Sequence, residues 1–279
     1  MQTPPLSPGL YLVATPIGNL EDITLRALRV LRSADLILAE DTRTSGKLLK
    51  HYGISTPMKP YHEHNAARVR DQVLAALEGG QALALISDAG TPLVSDPGYK
   101  LVTAALEAAH PVIPIPGPSA VLSALSVSSL PPEPFVFAGF PPAKSGARCS
   151  HLQRFVTTDA TLIFYESPHR LLDSLRDMVA VFGPRPAAVA RELTKLYESC
   201  VRGPLPEIIA HYEAESPRGE IVVLIGPPDD TTTPEVDIDA ALNAALAEMS
   251  PSAAAAHVAK ATGIPKRDLY ARAVELKNG

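Results

Sequence analysis

Two cysteines among 279 residues, Cys149 and Cys200, are too few and too far apart for a disulfide framework or a thiolate metal cluster. They read as free thiols of a reducing compartment, and no metal is expected. No apolar run approaches the ~20 residues of a membrane-spanning helix. The segment Met1 to Pro8 is uncharged and Pro-rich, unlike a signal or transit peptide, which points to the cytoplasm. Basic residues are not in excess: 25 Lys and Arg stand against 30 Asp and Glu, a formal net charge of −5. Proteins that coat long stretches of nucleic acid are usually basic overall, so that class is disfavoured, while local basic patches stay open. Three sequence signatures are also missing. There is no Gly-x-Gly-x-x-Gly, and Ser45-Gly46-Lys47 lacks the upstream glycine of a phosphate loop. His62-Glu63-His64 is too bunched for a His-Glu-x-x-His metal motif and reads as a solvated loop.

What is present is alternation. Hydrophobic residues make up 46% and charged residues 20%, a balance that supports substantial cores in roughly two domains. Many of the 28 prolines sit at the ends of apolar runs and punctuate strand–loop–helix units. Apolar runs at 10–14, 36–39, 82–86 and 112–115 alternate with helical spacing at 23–33, 45–51, 69–77 and 99–109. Such alternation predicts a parallel sheet with helices on both faces. Downstream, runs at 135–138, 161–165, 187–190, 197–202 and 220–225 predict strands, with helices around 144–156 and over 171–182. Little room precedes 197–202 for a crossover helix, so a hairpin and a mixed sheet are expected. After the polar stretch Asp229 to Pro234, helical patterns run over 237–248 and 252–262. A turn at Gly263-Ile264-Pro265 leads to a third helix that carries Leu269, Ala273 and Leu276 inward. The last two helices fit a helix-turn-helix unit. Lys260, Lys266, Arg267, Arg272 and Lys277 gather there, fitting either a nucleic-acid contact or a capping bundle with solvated charges.

The segment from Leu85 to Gly98 is the most informative. An apolar strand opens into Ser87-Asp88-Ala89-Gly90-Thr91-Pro92, at the carboxyl end where open α/β sheets hold ligands. Gly90 lets backbone approach a ligand and adopt φ > 0. Asp88, Thr91, Ser95 and Asp96 supply acceptors and hydroxyls. Comparable loops follow the other runs: Thr15 to Asn19, Pro116 to Ala120, Glu166 to Arg170 and Arg191 to Lys195. All five can converge on one cleft. Arg43, Arg170, Arg191 and Lys195 are candidates for RNA phosphate contacts or for orienting carboxylates. Arg26, Arg29 and Arg32 lie along one helix side and read first as a solvated face.

Residues 9–226 resemble the tetrapyrrole methylase superfamily, which uses S-adenosylmethionine. Val13-Ala14-Thr15-Pro16-Ile17-Gly18-Asn19-Leu20, Ala39-Glu40-Asp41-Thr42-Arg43, Ser87 to Gly98, Ile115 to Ala120 and Tyr165-Glu166-Ser167-Pro168-His169-Arg170 carry the likeness. Together they match the branch that methylates small-subunit ribosomal RNA, whose extra helix-turn-helix domain the C-terminal module resembles. The resemblance implies an N-terminal α/β domain with a parallel sheet (9–117) and a second α/β domain with a mixed sheet (118–228). A helix-turn-helix-like module (236–279) would follow. It further implies that the donor binds between the two α/β domains. The expected reaction is methylation of a cytidine ribose 2′-hydroxyl in the decoding region of 16S rRNA, on the RNA or the small ribosomal subunit, by a homodimer without membrane attachment. Carried over by motif, Pro16, Ala89, Gly90, Thr91, Val94, Ser119, Ala120, Glu166 and Leu193 would contact the donor. Many tetrapyrrole-modifying members have Gly-Gly-Asp-Pro where this chain has Ala89-Gly90-Thr91-Pro92, so the acid at Thr91 is absent and Asp88 is the candidate substitute. A ribose hydroxyl is a poor nucleophile near neutral pH. Glu166 and His169, with Arg170 beside them, are the candidates for handling its proton; Ser167-Pro168 also fits N-cap and N1 positions of a helix over 170–182. Arg43, Arg191, Lys195, Lys266 and Arg267 are the candidate RNA contacts. Two other readings remain: a methyltransferase of a tetrapyrrole precursor, and a non-catalytic nucleic-acid-binding regulator that senses the donor.

Overall fold

The computed structural model describes residues 5–62, 65–215, 217–228, 238–247, 249–262 and 265–278. The chain divides into two compact units, Met1–Pro227 and Pro228–Gly279. The first unit opens with β1 (Gly9–Val13), α1 (Leu25–Ser33), β2 (Leu36–Ala39), α2 (Thr42–His51), β3 (Met58–Pro60), α3 (Ala66–Glu78), β4 (Ala82–Ile86), α4 (Tyr99–Glu107) and β5 (Val112–Ile115). Its strands form one sheet in the order β3-β2-β4-β1-β5, and every pair is parallel. Side chains alternate between the faces. Tyr11, Val13, Ala84 and Ile86 join the core under α1 and α2, whereas Leu10, Leu83 and Leu85 join the core under α3 and α4. Register aligns Val13 with both Ile86 and Ile115, so three strands end at one level.

The unit continues with α5 (Ala120–Val127), β6 (Phe135–Phe137), α6 (Ser145–Gln153), β7 (Thr161–Glu166), α7 (Leu171–Phe182), β8 (Pro186–Arg191), β9 (Ser199–Pro204), α8 (Leu205–Ala214) and β10 (Ile221–Ile225). The second sheet runs β6-β7-β10-β8-β9. β6 and β7 are parallel, β10 is antiparallel to both its neighbours, and β8–β9 is the expected hairpin. Arg148, 3% exposed, donates to Asp177 Oδ2 at 2.7 Å and to the Pro142 and Ala143 carbonyls at 3.4 and 3.0 Å. It thereby ties α6 to α7 and to the chain entering α6.

Local boundaries depart from expectation in identifiable ways. α2 begins at Thr42 rather than Ser45, because the Asp41 carboxylate accepts from the Arg43 amide at 2.8 Å and caps the helix there. α7 begins at Leu171 with Arg170 at the N-cap position, which corrects the assignment of Ser167 and Pro168 to N-cap and N1. Ser167 Oγ instead accepts from Arg170 Nε at 3.3 Å. Arg26, Arg29 and Arg32 lie exposed on α1, as a solvated face requires.

In the second unit, α9 (Ile238–Leu246), α10 (Pro251–Thr262) and α11 (Lys266–Asn278) enclose Leu242, Ala254, Ala255, Val258, Leu269 and Ala273. Arg272 grips Asp239 with two nitrogens, at 2.8 and 2.5 Å, and fastens α11 to α9. The expected linker over 229–234, the turn residues Gly263 and Ile264, the side chain of Lys260, and Glu63-His64 lie outside the described residues.

Candidate active site

The loops after β1, β4 and β5 are laced together by their own polar groups. Thr15 and Gly90 exchange backbone hydrogen bonds at 2.9 and 3.0 Å. Thr15 Oγ1 donates to the Ser87 carbonyl at 3.1 Å, and Thr91 Oγ1 donates to the Pro118 carbonyl at 3.2 Å. Gly90 sits at φ 84°, the left-handed region that glycine enters without steric cost. Four non-glycine residues of two loops are left-handed as well: Leu93 (75°) and Ser95 (66°) in one, Glu192 (49°) and Thr194 (66°) in the other. Such conformations cost about 1–3 kcal/mol each where they are strained, and they concentrate at ligand sites.

Both loops border a cavity of about 410 Å³. All five strand-end loops contribute to its wall: Ile17 after β1, Asp88 to Thr91 and Val94 to Asp96 after β4, Ser119 and Ala120 after β5, Glu166 to Pro168 after β7, and Leu193 after β8. Val94, Phe140, Tyr165, Ile221 and Val222 add apolar surface. The charged residues of the wall are Asp88, Asp96, Glu166 and Glu220; among the described residues no Lys or Arg lines it. Such a wall attracts a cationic ligand and repels phosphate.

The acids differ in their surroundings. Burial pushes the Asp96 carboxyl up to about 6, the neighbouring Asp88 adds to the rise, and a hydrogen bond from Ser87 opposes it. Burial also pushes the Tyr165 hydroxyl up to about 12, helped by Asp96 and Glu220. The Tyr165 ring packs against Phe137 and Phe140, with centroids 4.8 and 5.3 Å apart. Glu166, 3% exposed, has both oxygens engaged. Oε1 accepts from the Ser167 amide at 2.7 Å and from Arg170 Nε and Nη2 at 2.8 and 2.6 Å, while Oε2 accepts from Ser174 Oγ. Arg170 Nη1 also reaches the Pro141 carbonyl at 3.5 Å.

Of the residues expected to meet a donor, Asp88, Ala89, Gly90, Thr91, Val94, Ser119, Ala120, Glu166 and Leu193 line the cavity. Pro16 lines an adjoining groove, as does Lys195. His169 and Arg170 stand outside the wall, His169 exposed on the turn before α7. Arg43 is 88% exposed and bound to Asp41, whose carboxyl it holds near 2. Arg191 Nε donates to Ser199 Oγ at 3.1 Å. Lys195 bridges Glu192 and Glu220. Burial pulls its ammonium down, but the two carboxylates outweigh that and hold it above the usual range. Lys266 and Arg267 are exposed in the first turn of α11, in the second unit.

Sequence reasoning missed Phe140, Tyr165, Gly219 and Glu220, and counted Asp96 only as a loop acceptor. Gly219 and Glu220 were hidden by topology. β10 is antiparallel to β7 and β8, so its amino end lies beside their carboxyl ends. A search of strand carboxyl ends alone cannot find it.

The pattern of the tetrapyrrole (corrin/porphyrin) methylases matches residues 9–209, and that of the RsmI C-terminal HTH domain matches residues 232–277. A ribosomal RNA small subunit methyltransferase I of Mesorhizobium japonicum is 54% identical over 276 residues, 98% of this chain and 94% of that protein. A protein of the same name from Escherichia coli O157:H7 is 47% identical over 273 residues, 95% of this chain and 94% of its own length. The crystal structure of uroporphyrin-III C-methyl transferase from Thermus thermophilus complexed with S-adenyl homocysteine shares the fold. Its TM-score is 0.55 at 20% identity, covering 77% of this chain and 96% of that one. The chain therefore belongs to the tetrapyrrole (corrin/porphyrin) methylase family, within its ribosomal RNA small subunit methyltransferase I group.

Proposed function

We propose that the chain is an S-adenosylmethionine-dependent methyltransferase acting on the ribose 2′-hydroxyl of a cytidine in the decoding region of 16S rRNA. The observation that carries the reading is the cavity walled by both sheets, with every charged lining residue among those described acidic. S-adenosylmethionine carries a sulfonium and an ammonium against one carboxylate, a net positive charge, and a space of about 410 Å³ lies in the range of small-molecule sites. The donor fits this chemistry, with Asp88, Ala89, Gly90, Thr91, Val94, Ser119, Ala120, Glu166 and Leu193 as the residues that would hold it and Pro16 at the edge. When bound, it supplies an electrophilic methyl group on a good leaving group.

The chain's own part is alignment, exclusion of water and care of the proton. Loops from both sheets enclose the reacting space. Glu166 is a positioning residue: its oxygens are spent on Ser167, Arg170 and Ser174, which fixes the turn bearing Ser167 and Pro168 in the wall. Arg170 acts through that same pair, and the exposure of His169 on the turn supports a role in meeting RNA rather than the acceptor proton. Asp96, a cavity-lining carboxyl that burial raises to about 6, takes the acceptor proton. Arg43, Arg191, Lys195, Lys266 and Arg267 are the proposed phosphate contacts. Action as a cytoplasmic homodimer on the small ribosomal subunit completes the reading and rests on the family alone. A tetrapyrrole precursor rich in carboxylates would meet four more in this wall and no cation among the described residues.

The test is nucleoside mass spectrometry of 16S rRNA from small subunits incubated with the protein and labelled donor. Label in 2′-O-methylcytidine is expected. Intact donor binding without label in ribose overturns the assignment.

A further inference from the structure

The groove beside the cavity carries chemistry that donor binding leaves unused. It encloses about 290 Å³ and is lined by residues that follow β1, β2 and β4, together with Lys195 and Glu220 from the second sheet's side. Ile17, Asp88, Ala89 and Glu220 line both spaces, so the two adjoin there. The charges they do not share differ in sign. Lys47 and Lys195 line the groove and not the cavity. Lys47 is exposed and makes no ion pair among the described residues. Lys195 spends two of its three N–H groups on Glu192 and Glu220, at 2.8 and 3.0 Å, and keeps a third. Its stem runs against Gly18, where a Cβ would fall 2.6 Å from Lys195 Cε. Ser45, in the first turns of α2, is only 4% exposed and lines the groove. Its buried Oγ has no hydrogen-bond partner among the described residues. An unpaired buried hydroxyl is unfavourable, and a ligand in the groove would supply the missing partner.

We infer that this groove is the acceptor-strand subsite: it takes a ribonucleotide of the substrate RNA, with its phosphate at Lys47 and Lys195 and an oxygen on Ser45 Oγ. The inference rests on the methyltransferase reading above. The polarity of the two spaces gives its logic. Carboxylates at the junction turn phosphate away from the cavity, so the strand's charge stays on the lysine side and only the uncharged sugar reaches across.

The test uses the full chain with small-subunit RNA as probe, comparing wild type with Lys47→Ala and Ser45→Ala. RNA binding is measured without donor across a salt series, KM and kcat with donor, and S-adenosylhomocysteine binding by calorimetry. Lys47→Ala is expected to weaken RNA binding and lower the logarithmic salt slope by about one. Its KM for RNA rises while kcat and S-adenosylhomocysteine affinity stay at wild-type values. Ser45→Ala raises KM without lowering Tm, whereas a serine with only a structural role would lower Tm and leave KM alone. An unchanged salt slope in Lys47→Ala, or a loss of S-adenosylhomocysteine affinity, overturns the inference. A wild-type protein that binds RNA with the Lys47-dependent slope yet transfers no methyl overturns the functional reading and leaves the groove standing.

Discussion

The Asp41 backbone amide donates to the Asp88 carboxylate at 3.0 Å, which ties the end of β2 to the end of β4 and orients an acid at the junction of cavity and groove. Asp88→Asn keeps an acceptor oxygen for that amide and removes the charge. S-adenosylmethionine, a cation at sulfur, should lose roughly tenfold in affinity, and the neutral-sulfur S-adenosylhomocysteine clearly less. Calorimetry with both ligands checks this, and equal losses would assign Asp88 a purely geometric role.

Gly90→Ala probes the left-handed bend. An added Cβ meets nothing nearer than Ile17 Cγ2 at 3.5 Å, so space is not the obstacle. The φ of 84° is, at roughly 1 kcal/mol for an alanine. A small drop in Tm and a large drop in donor affinity are expected, because relief of the strain shifts the backbone that meets the ligand. Calorimetry together with thermal unfolding separates the two effects.

Glu166→Ala should cost stability as well as turnover. It takes the carboxylate from Arg170 and the acceptor from Ser174, and because Glu166 is fully buried while the Arg170 side chain is 29% exposed, the loss should cost at most about 3 kcal/mol. Ser174→Ala, which spares the ion pair, should cost less. Denaturant unfolding of the two variants decides; unfolding of Glu166→Ala at the wild-type midpoint would contradict this account.

Asp96 sets a pH dependence with a definite sign. Its carboxyl rises from 3.8 to about 6 on folding, so the folded state favours the protonated form. The associated stability is complete below pH 3.8 and is lost as pH rises through about 6. Asp96→Asn should flatten stability across that window and leave the protein more stable at neutral pH. Turnover of the wild type should rise through the same interval, as the base form appears, and the variant should lose that rise. Unfolding and rate profiles against pH measure both.

Charge reversal at Lys266 and Arg267 tests the C-terminal unit. The double Glu variant should raise KM for RNA and leave S-adenosylhomocysteine binding and the melting of the first unit unchanged. Unaltered KM would make these residues a solvated face.

The parallel sheet was legible because its strands are buried on both faces and so read as unbroken apolar runs; β4 has no exposed residue. The β8–β9 hairpin was legible from chain length alone. β3 was not, being three residues long with a proline at an edge. α5, with the sequence AVLSALSV, is apolar almost all round and shows no stripe, and α8 starts at Leu205, immediately where β9 stops at Pro204, with Pro206 in its first turn. The shared hollow followed from five loops at strand ends, the one after β4 rich in small polar residues. Its acidic character did not, since Asp96 and Glu220 acquire their meaning only where the two sheets face each other. His169 and Arg170 illustrate the converse: adjacency to Glu166 in sequence put them in the motif, and the turn before α7 points them out of the wall.

Three consecutive carbonyls, Pro141, Pro142 and Ala143, are gripped by guanidinium groups rooted in two different helices, Arg170 at the start of α7 and Arg148 in α6. That stretch is held in place from both helices just after Phe140, which lines the cavity, while residues 91–98, four of which share the same wall, pass through two left-handed non-glycine positions.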